Sequence, residues 1–303
     1  MDLEGLRRGN RRSVARAISL VENDPAKAQE FLQKIFHYTG KVGVVGITGP
    51  AGAGKSSLIN HLTMRLSGTG GRPAVLAVDP TSHITGGAIL GDRVRMTEST
   101  DSGVYIRSLA SRGATGAVSA SLRNSIRVLE YARFEPIIVE SVGAGQTEVD
   151  ISDMADVTVV VFNPHTGDSI QTIKAGITEI GDICVVNKSD LPGSAALFDA
   201  VRDFIGESDR NPHVLLTSVK NNEGIDELSD TIRNLLESNV NSPQRQERRI
   251  KTELVDIILS NLHAKLNHMV QSDARITEQL DLIKAGDSNP YQAAKHISGL
   301  LLR

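Results

Sequence analysis

Val42-Gly43-Val44-Val45-Gly46-Ile47-Thr48-Gly49-Pro50-Ala51-Gly52-Ala53-Gly54-Lys55-Ser56-Ser57-Leu58-Ile59 is the stretch that decides the fold. Its first seven residues form an apolar, β-branched run that reads as a buried strand. Gly49 to Ser56 then fits the spacing G-x-x-x-x-G-K-[ST], and Leu58, Ile59, Leu62 and Leu66 open a helix. Strand, glycine-rich loop and helix in this order make a phosphate-binding loop. Glycines let successive backbone N–H groups turn inward on phosphate, and the helix N-terminus adds positive potential. Gly49, Pro50, Ala51, Gly52, Ala53, Gly54, Lys55, Ser56 and Ser57 are the expected nucleotide contacts. Lys55 supplies a point charge for the outer phosphates, and Ser56 a hydroxyl ligand for Mg²⁺. The loop alone does not choose between ATP and GTP.

Outward from this loop the pattern repeats. Apolar runs at Ala74–Asp79, Val104–Leu109, Pro136–Ser141, Val157–Asn163, Ile183–Asn187 and Val214–Ser218 alternate with amphipathic stretches of helical period. Such alternation predicts an α/β fold, a doubly wound, mostly parallel sheet with helices on both faces. Residues 1–40 read as helical, with Asn23-Asp24-Pro25 as a stop and restart. The chain turns polar and charged at Ser242–Arg249. After it Ile250, Leu254, Ile257, Ile258, Leu262, Leu266 and Met269 share one helical stripe, and no further strand follows. The expected organisation is an N-terminal helical extension (1–40), a nucleotide domain (41–240) and a C-terminal helical arm (241–303). An exposed stripe of that length needs a partner, either the α/β body or a second copy of the chain.

The base is read elsewhere. Ile183-Cys184-Val185-Val186 leads into Asn187-Lys188-Ser189-Asp190, an N-K-x-D run at the C-terminal end of a strand, where parallel sheets bind ligands. The Asp190 carboxylate can accept hydrogen bonds from guanine N1–H and its exocyclic amine, a pair that adenine does not offer. Thr217-Ser218-Val219-Lys220 closes a further strand, and Ser218 and Val219 form a second candidate base-contacting loop. Three acids are placed for the metal: Asp79 ends one strand, Asp92 lies in a glycine-rich stretch, and Glu140 ends another strand. With Ser56 and phosphate oxygens they make a hard-oxygen set suited to Mg²⁺. Gly143 is a candidate γ-phosphate sensor and Gln146 a candidate for orienting water. Lys55, Glu140, Gly143 and Gln146 are thus the expected catalytic residues.

Composition removes other classes. In 303 residues, 33 Lys+Arg stand against 36 Asp+Glu, a net charge of −3, which excludes a basic nucleic-acid coat or a polybasic membrane-surface protein. Aromatics are 3%, too few for stacking platforms. No apolar run is long enough to span a bilayer, and the N-terminus lacks a secretory stretch, so a cytoplasmic protein is expected. Cys184, the single cysteine, sits inside an apolar run and reads as core. His83 and His165 read as loop residues rather than the start of a metal cluster. Arg7, Arg8, Arg11, Arg12 and Arg16 read as a solvated helix face.

These motifs together resemble the MeaB/ArgK-type G proteins, the GTPase chaperones of cobalamin-dependent acyl-CoA mutases. The resemblance runs from Gly9-Asn10-Arg11 to about Val219. It rests on the phosphate loop, on Leu76-Ala77-Val78-Asp79-Pro80-Thr81-Ser82, on Thr85–Arg93, on Val139-Glu140-Ser141-Val142-Gly143-Ala144-Gly145-Gln146, and on Asn187–Asp190. Glu140 in place of the usual Asp is a feature of that family. Asn163-Pro164-His165-Thr166 stands where many relatives carry smaller apolar and glycine residues.

The resemblance implies a GTPase that binds GTP, GDP and Mg²⁺, with Ser56, Asp79, Asp92 and Glu140 around the metal. It implies slow hydrolysis stimulated by a mutase contacted partly through residues 164–174, gated delivery of adenosylcobalamin, and a homodimer. Methylmalonyl-CoA mutase or a related isomerase is the implied partner, with no nucleic acid and no membrane. Three rivals remain at this level: an ATP-dependent phosphotransferase, which the N-K-x-D run opposes; a nickel-type metallochaperone GTPase, which the missing Cys/His cluster opposes; and a nucleotide-bound scaffold with negligible turnover.

Overall fold

The computed structural model describes residues 1–68, 70–79, 103–110, 117–141, 147–165, 180–206, 212–240 and 242–301. Seven described strands run parallel: β1 (Val44–Thr48), β2 (Ala74–Asp79), β3 (Tyr105–Ala110), β4 (Ile137–Ser141), β5 (Val157–Phe162), β6 (Ile183–Asn187) and β7 (His213–Thr217). Their order across the sheet is β3-β2-β4-β1-β5-β6-β7. β1, β4, β5 and β6 are buried at every position. That explains why they appear in sequence as continuous apolar runs rather than as alternations. β1 starts two residues later than the apolar run, because the N–H groups of Lys41 and Val42 both go to the Glu130 carboxylate.

Side chains along the strands alternate between the two faces of the sheet. Val44, Leu76, Val78, Ile137 and Val139 face one layer, made by α2 (Arg11–Asn23), α3 (Pro25–Ile35), α5 (Ala117–Tyr131) and α6 (Thr147–Met154). Val45, Ile47, Val75, Ile138 and Val159 face the other, which includes α4 (Lys55–Gly68) and α8 (Ile225–Asn239). A third cluster joins Val160, Phe162, Cys184 and Val186 to α7 (Ser194–Ile205).

The N-terminal helices are built as read. Short α1 (Leu3–Arg7) precedes α2, which the Asn10 side chain caps by accepting from the N–H groups of Arg12 and Ser13. α2 buries Val14, Ala17, Ile18 and Val21, and lies against α5. Asp24 ends it, then caps α3 with Pro25 in the first turn.

The chain forms two compact units, Met1–Arg249 and Ile250–Arg303. The charged stretch after Ser242 is the opening of helix α9 (Pro243–Ser272). Its arginines, still part of the first unit, find acids there: Arg248 pairs with Asp153 at 2.9 Å, and Arg249 with the buried Asp156 at 3.1 Å. The second unit holds the rest of α9 with α10 (Ala274–Ala285) and α11 (Pro290–Leu301). It buries Met269, Ile276 and Ala293, while Ile250, Leu254, Ile257 and Ile258 remain 48–60% exposed. Among the described residues, no helix is long and apolar enough to cross a membrane.

Candidate functional site

β1 lies between β4 and β5, and the chain leaves its C-terminal end through the glycine-rich loop. The chain runs from β1 toward β2 on one side and from the adjacent β4 toward β5 on the other, and open parallel sheets bind ligands where the strand order reverses in this way. Gly49 makes the exit, with φ of 136°. A Cβ on it would stand 2.1 Å from the Val161 carbonyl oxygen on β5, so only glycine fits. α4 starts at Lys55, as the motif predicts. Lys55 is 7% exposed, and its ammonium donates to the carbonyls of Gly49 (2.7 Å) and Pro50 (3.1 Å), so the side chain lies folded along the loop. Ser57 is exposed one position on.

Ser56 Oγ donates to Glu140 Oε1 at 2.7 Å. Strand order makes this possible, since Ile47 on β1 is the register partner of Glu140 on β4. Glu140 is 4% exposed. Beside it Ser141 Oγ donates to Thr48 Oγ1 at 2.8 Å, both fully buried, which ties the start of the loop to the end of β4. On the far side of β4, Ala77 pairs with Glu140, and residue 79 is the last of β2, at the same edge of the sheet. A hydroxyl and a carboxylate meeting at this spacing form a hard-oxygen donor set that fits Mg²⁺. Asp92, Gly143, Gln146 and the 166–174 part of the 164–174 segment lie outside the described residues.

The N-K-x-D run divides its labour. Asn187 is 1% exposed; its Nδ2 donates to the Ala53 carbonyl at 2.9 Å and its Oδ1 accepts from Thr217 at 3.0 Å. Lys188, at φ of 59°, sends its ammonium to the Gly52 carbonyl at 2.8 Å. Both side chains hold the phosphate loop from outside. Asp190 stands beyond them. Its Oδ1 accepts from Ser218 at 2.6 Å, and Lys220 lies 3.8 Å from its other oxygen. The Ser218 bond, aided by Lys220 and Lys188, holds the Asp190 carboxyl below the usual carboxylate range, so it is a standing acceptor at neutral pH. Ser218 is fully buried and also accepts from the Asn221 N–H, while Val219 packs partly buried on the core.

Sequence reading passed over Thr48, Ser141, Thr217 and Asn163 as site residues. Asn163 is 1% exposed and donates to Gly52 at 3.0 Å. The signal was present in one form: each is a polar residue at the C-terminal end of an apolar strand run. Burial removes Cys184 from the chemistry, pushing its thiol up to about 12. His165 is exposed, and among the described residues no group of three His, Cys, Asp or Glu side chains could hold a metal ion.

Comparison with known proteins agrees with this geometry. A relative from Pyrococcus abyssi, named as a GTPase, is 41% identical over 306 residues, covering 97% of this chain and 94% of its own. The mouse methylmalonic aciduria type A homolog, a mitochondrial protein, is 34% identical over 321 residues, covering 96% of this chain and 76% of its own. The crystal structure of an LAO/AO transport system kinase superimposes with a TM-score of 0.72 at 26% identity, covering 99% of this chain and 96% of that one. The model of the family described as methylmalonyl Co-A mutase-associated GTPase MeaB matches residues 14–272. The assembled phosphate loop, the guanine-type strand ends and this match make the chain a P-loop GTPase belonging to the MeaB family.

Proposed function

We propose that this GTPase is the G-protein chaperone of a cobalamin-dependent acyl-CoA mutase, methylmalonyl-CoA mutase or a related isomerase. Its GTP cycle gates the loading of adenosylcobalamin and protects or reactivates the mutase. Two names support the partner: the family's own description and that of the mouse relative. One observation carries the reading. Lys55, the Ser56–Glu140 pair and the Asn187, Lys188, Asp190 group gather on one sheet edge, in a chain of a mutase-associated family.

In the proposed reaction water attacks the γ-phosphorus in line, the bond to the β-phosphate oxygen breaks, and GDP and phosphate leave. Lys55 moves from the loop carbonyls to the outer phosphate oxygens and offsets their charge. Ser56, Glu140, Asp79 and Asp92 hold Mg²⁺, which when bound neutralises phosphate charge. Gly143 reports the γ-phosphate through its N–H, and Gln146 orients the water. Asn187 and Lys188 keep the loop in shape, and Asp190, steadied by Ser218 beside Val219, selects guanine. Residues 164–174 carry the nucleotide state to the mutase. The division into a helical extension (1–40), a GTPase domain (41–240) and an arm (241–303) assigns homodimer formation to the arm, whose half-exposed Ile250, Leu254, Ile257 and Ile258 suit a second copy.

The test is GTP hydrolysis by the purified protein, alone and with candidate acyl-CoA mutases, with ATP in parallel. Slow GTP turnover that one mutase accelerates is the expected result. Turnover indifferent to every mutase removes the chaperone assignment, and preference for ATP turns the reading toward phosphoryl transfer.

A further inference from the structure

Asn163 follows directly on β5, where the strand packs as core and a polar side chain costs free energy unless its groups are bonded. Two of its side-chain bonds run in different directions. Nδ2 donates to the Gly52 carbonyl at 3.0 Å, across a sequence separation of 111 residues. Oδ1 accepts from the His165 N–H at 2.8 Å, closing a tight turn over Pro164. One buried amide therefore touches both the outer curve of the phosphate loop and the first turn of the segment leaving β5.

The loop end of this link is placed to matter. Lys188 donates to the same Gly52 oxygen at 2.8 Å, and Asn187 to the next carbonyl, Ala53, at 2.9 Å. A trans peptide carries its C=O and N–H on opposite edges. Fixing the Gly52 oxygen therefore fixes the Ala53 N–H, which turns back into the loop toward the Pro50 oxygen at 3.2 Å. The shape of the loop, on which its N–H array depends, is thus held from outside by three side chains. Two come from the N-K-x-D run; Asn163 comes from just beyond another strand, β5, and opens the turn 163–165. An amide suits this position, because it donates to a carbonyl that already holds an ammonium and accepts from a backbone N–H.

We infer that Asn163 is a positioning residue for the guanine nucleotide: its amide fastens the phosphate loop to the turn 163–165, so that nucleotide affinity depends on how this turn is held. By linkage, anything that grips the turn shifts nucleotide affinity by the factor with which nucleotide shifts its own binding. The link does not depend on which partner the protein serves, because nucleotide alone tests it.

The experiment compares Asn163→Ser and Asn163→Ala with the parent chain. Serine can still accept from the His165 N–H but is too short to reach Gly52; alanine loses both bonds. A fluorescent GDP analogue reads Kd and dissociation rate, GTP turnover reads KM and kcat, and thermal unfolding without nucleotide reads the fold. Both variants lose the bond to Gly52, and that shared loss of one buried hydrogen bond is expected to raise Kd for GDP and KM for GTP together by about five- to tenfold. Turnover at saturation should stay within about twofold, because the bond serves ground and transition state alike. The unfolding midpoint of the serine variant should stay near that of the parent. Nucleotide rates within about twofold of the parent in a folded serine variant overturn the proposal. Failure of both variants to fold also overturns it, since Asn163 would then serve the core alone.

Discussion

Alanine placed at three glycines of the phosphate loop, one at a time, separates steric demand from chemistry. Gly49, Gly52 and Gly54 all lie at positive φ, 136°, 77° and 92°. A side chain held there costs about 1–3 kcal/mol, a penalty common to the three variants. The space differs. A Cβ at Gly49 would stand 2.1 Å from the Val161 oxygen and 3.0 and 3.1 Å from the carbon and nitrogen of the same residue. These are backbone atoms of a fully buried strand and cannot swing away, and overpacking of this kind adds about 1–3 kcal/mol. Gly49→Ala is therefore expected to lose about 2–6 kcal/mol.

At Gly54 the Cβ would meet Asn187 Nδ2 at 2.5 Å, with the next atom at 3.7 Å. That amide can withdraw, but its bond to Ala53 goes with it, adding about 1 kcal/mol. At Gly52 nothing lies within 4 Å, so only the φ penalty applies. The expected order of destabilisation is Gly49 over Gly54 over Gly52. At about 2–4 °C per kcal/mol, Gly49→Ala lowers the melting temperature by roughly 5–20 °C. The assay is thermal and denaturant unfolding of the nucleotide-free protein, followed by circular dichroism. A Gly49→Ala variant no less stable than Gly52→Ala refutes the close approach of the loop to β5.

Two further outcomes follow from the same site. Asp190 should make the protein prefer GDP to IDP, which lacks the 2-amino group, by roughly ten- to hundredfold, and Asp190→Asn should abolish most of that ratio. Because the Ser218 bond depresses the Asp190 pKa, its ionised form is complete above the ordinary carboxylate value of about 3.9 and is lost only as pH falls through the still lower folded value. The ratio should then be flat from pH 8 to 5; a fall across that window contradicts the assignment. Cys184, fully buried and with its thiol pushed to about 12, should resist a thiol reagent at pH 8 in the native protein and react stoichiometrically on unfolding. Rapid labelling of the native chain would show that β6 is not closed in as described.

Local chemistry made much of this protein legible in its amino acids. The run Val42–Ile59 specifies strand, loop and helix, because phosphate-loop geometry depends on glycines at fixed spacing and on the period of the flanking apolar residues. Asn10 and Asp24-Pro25 mark helix starts through bonds only two or three residues long. The apolar runs announced a parallel sheet, because strands covered on both faces cannot alternate.

Tertiary structure alone decided which distant groups meet. β4 enters between β1 and β2, and only that order lets Glu140 reach Ser56 and Ser141 reach Thr48, 84 and 93 residues away. Asn187 and Lys188, adjacent to Asp190 in sequence, turn back to the phosphate loop, while Asp190 is held by Ser218 from a different strand. The arginines after Ser242 resemble a solvated linker until the start of α9 brings them to Asp153 and Asp156. Periodicity and spacing describe what a segment is; they carry no record of its neighbours, which the strand order and the closing of long loops select. Asn163 shows that difference most clearly: in sequence it is the polar end of an apolar run, and in the fold it is one amide held between two loops.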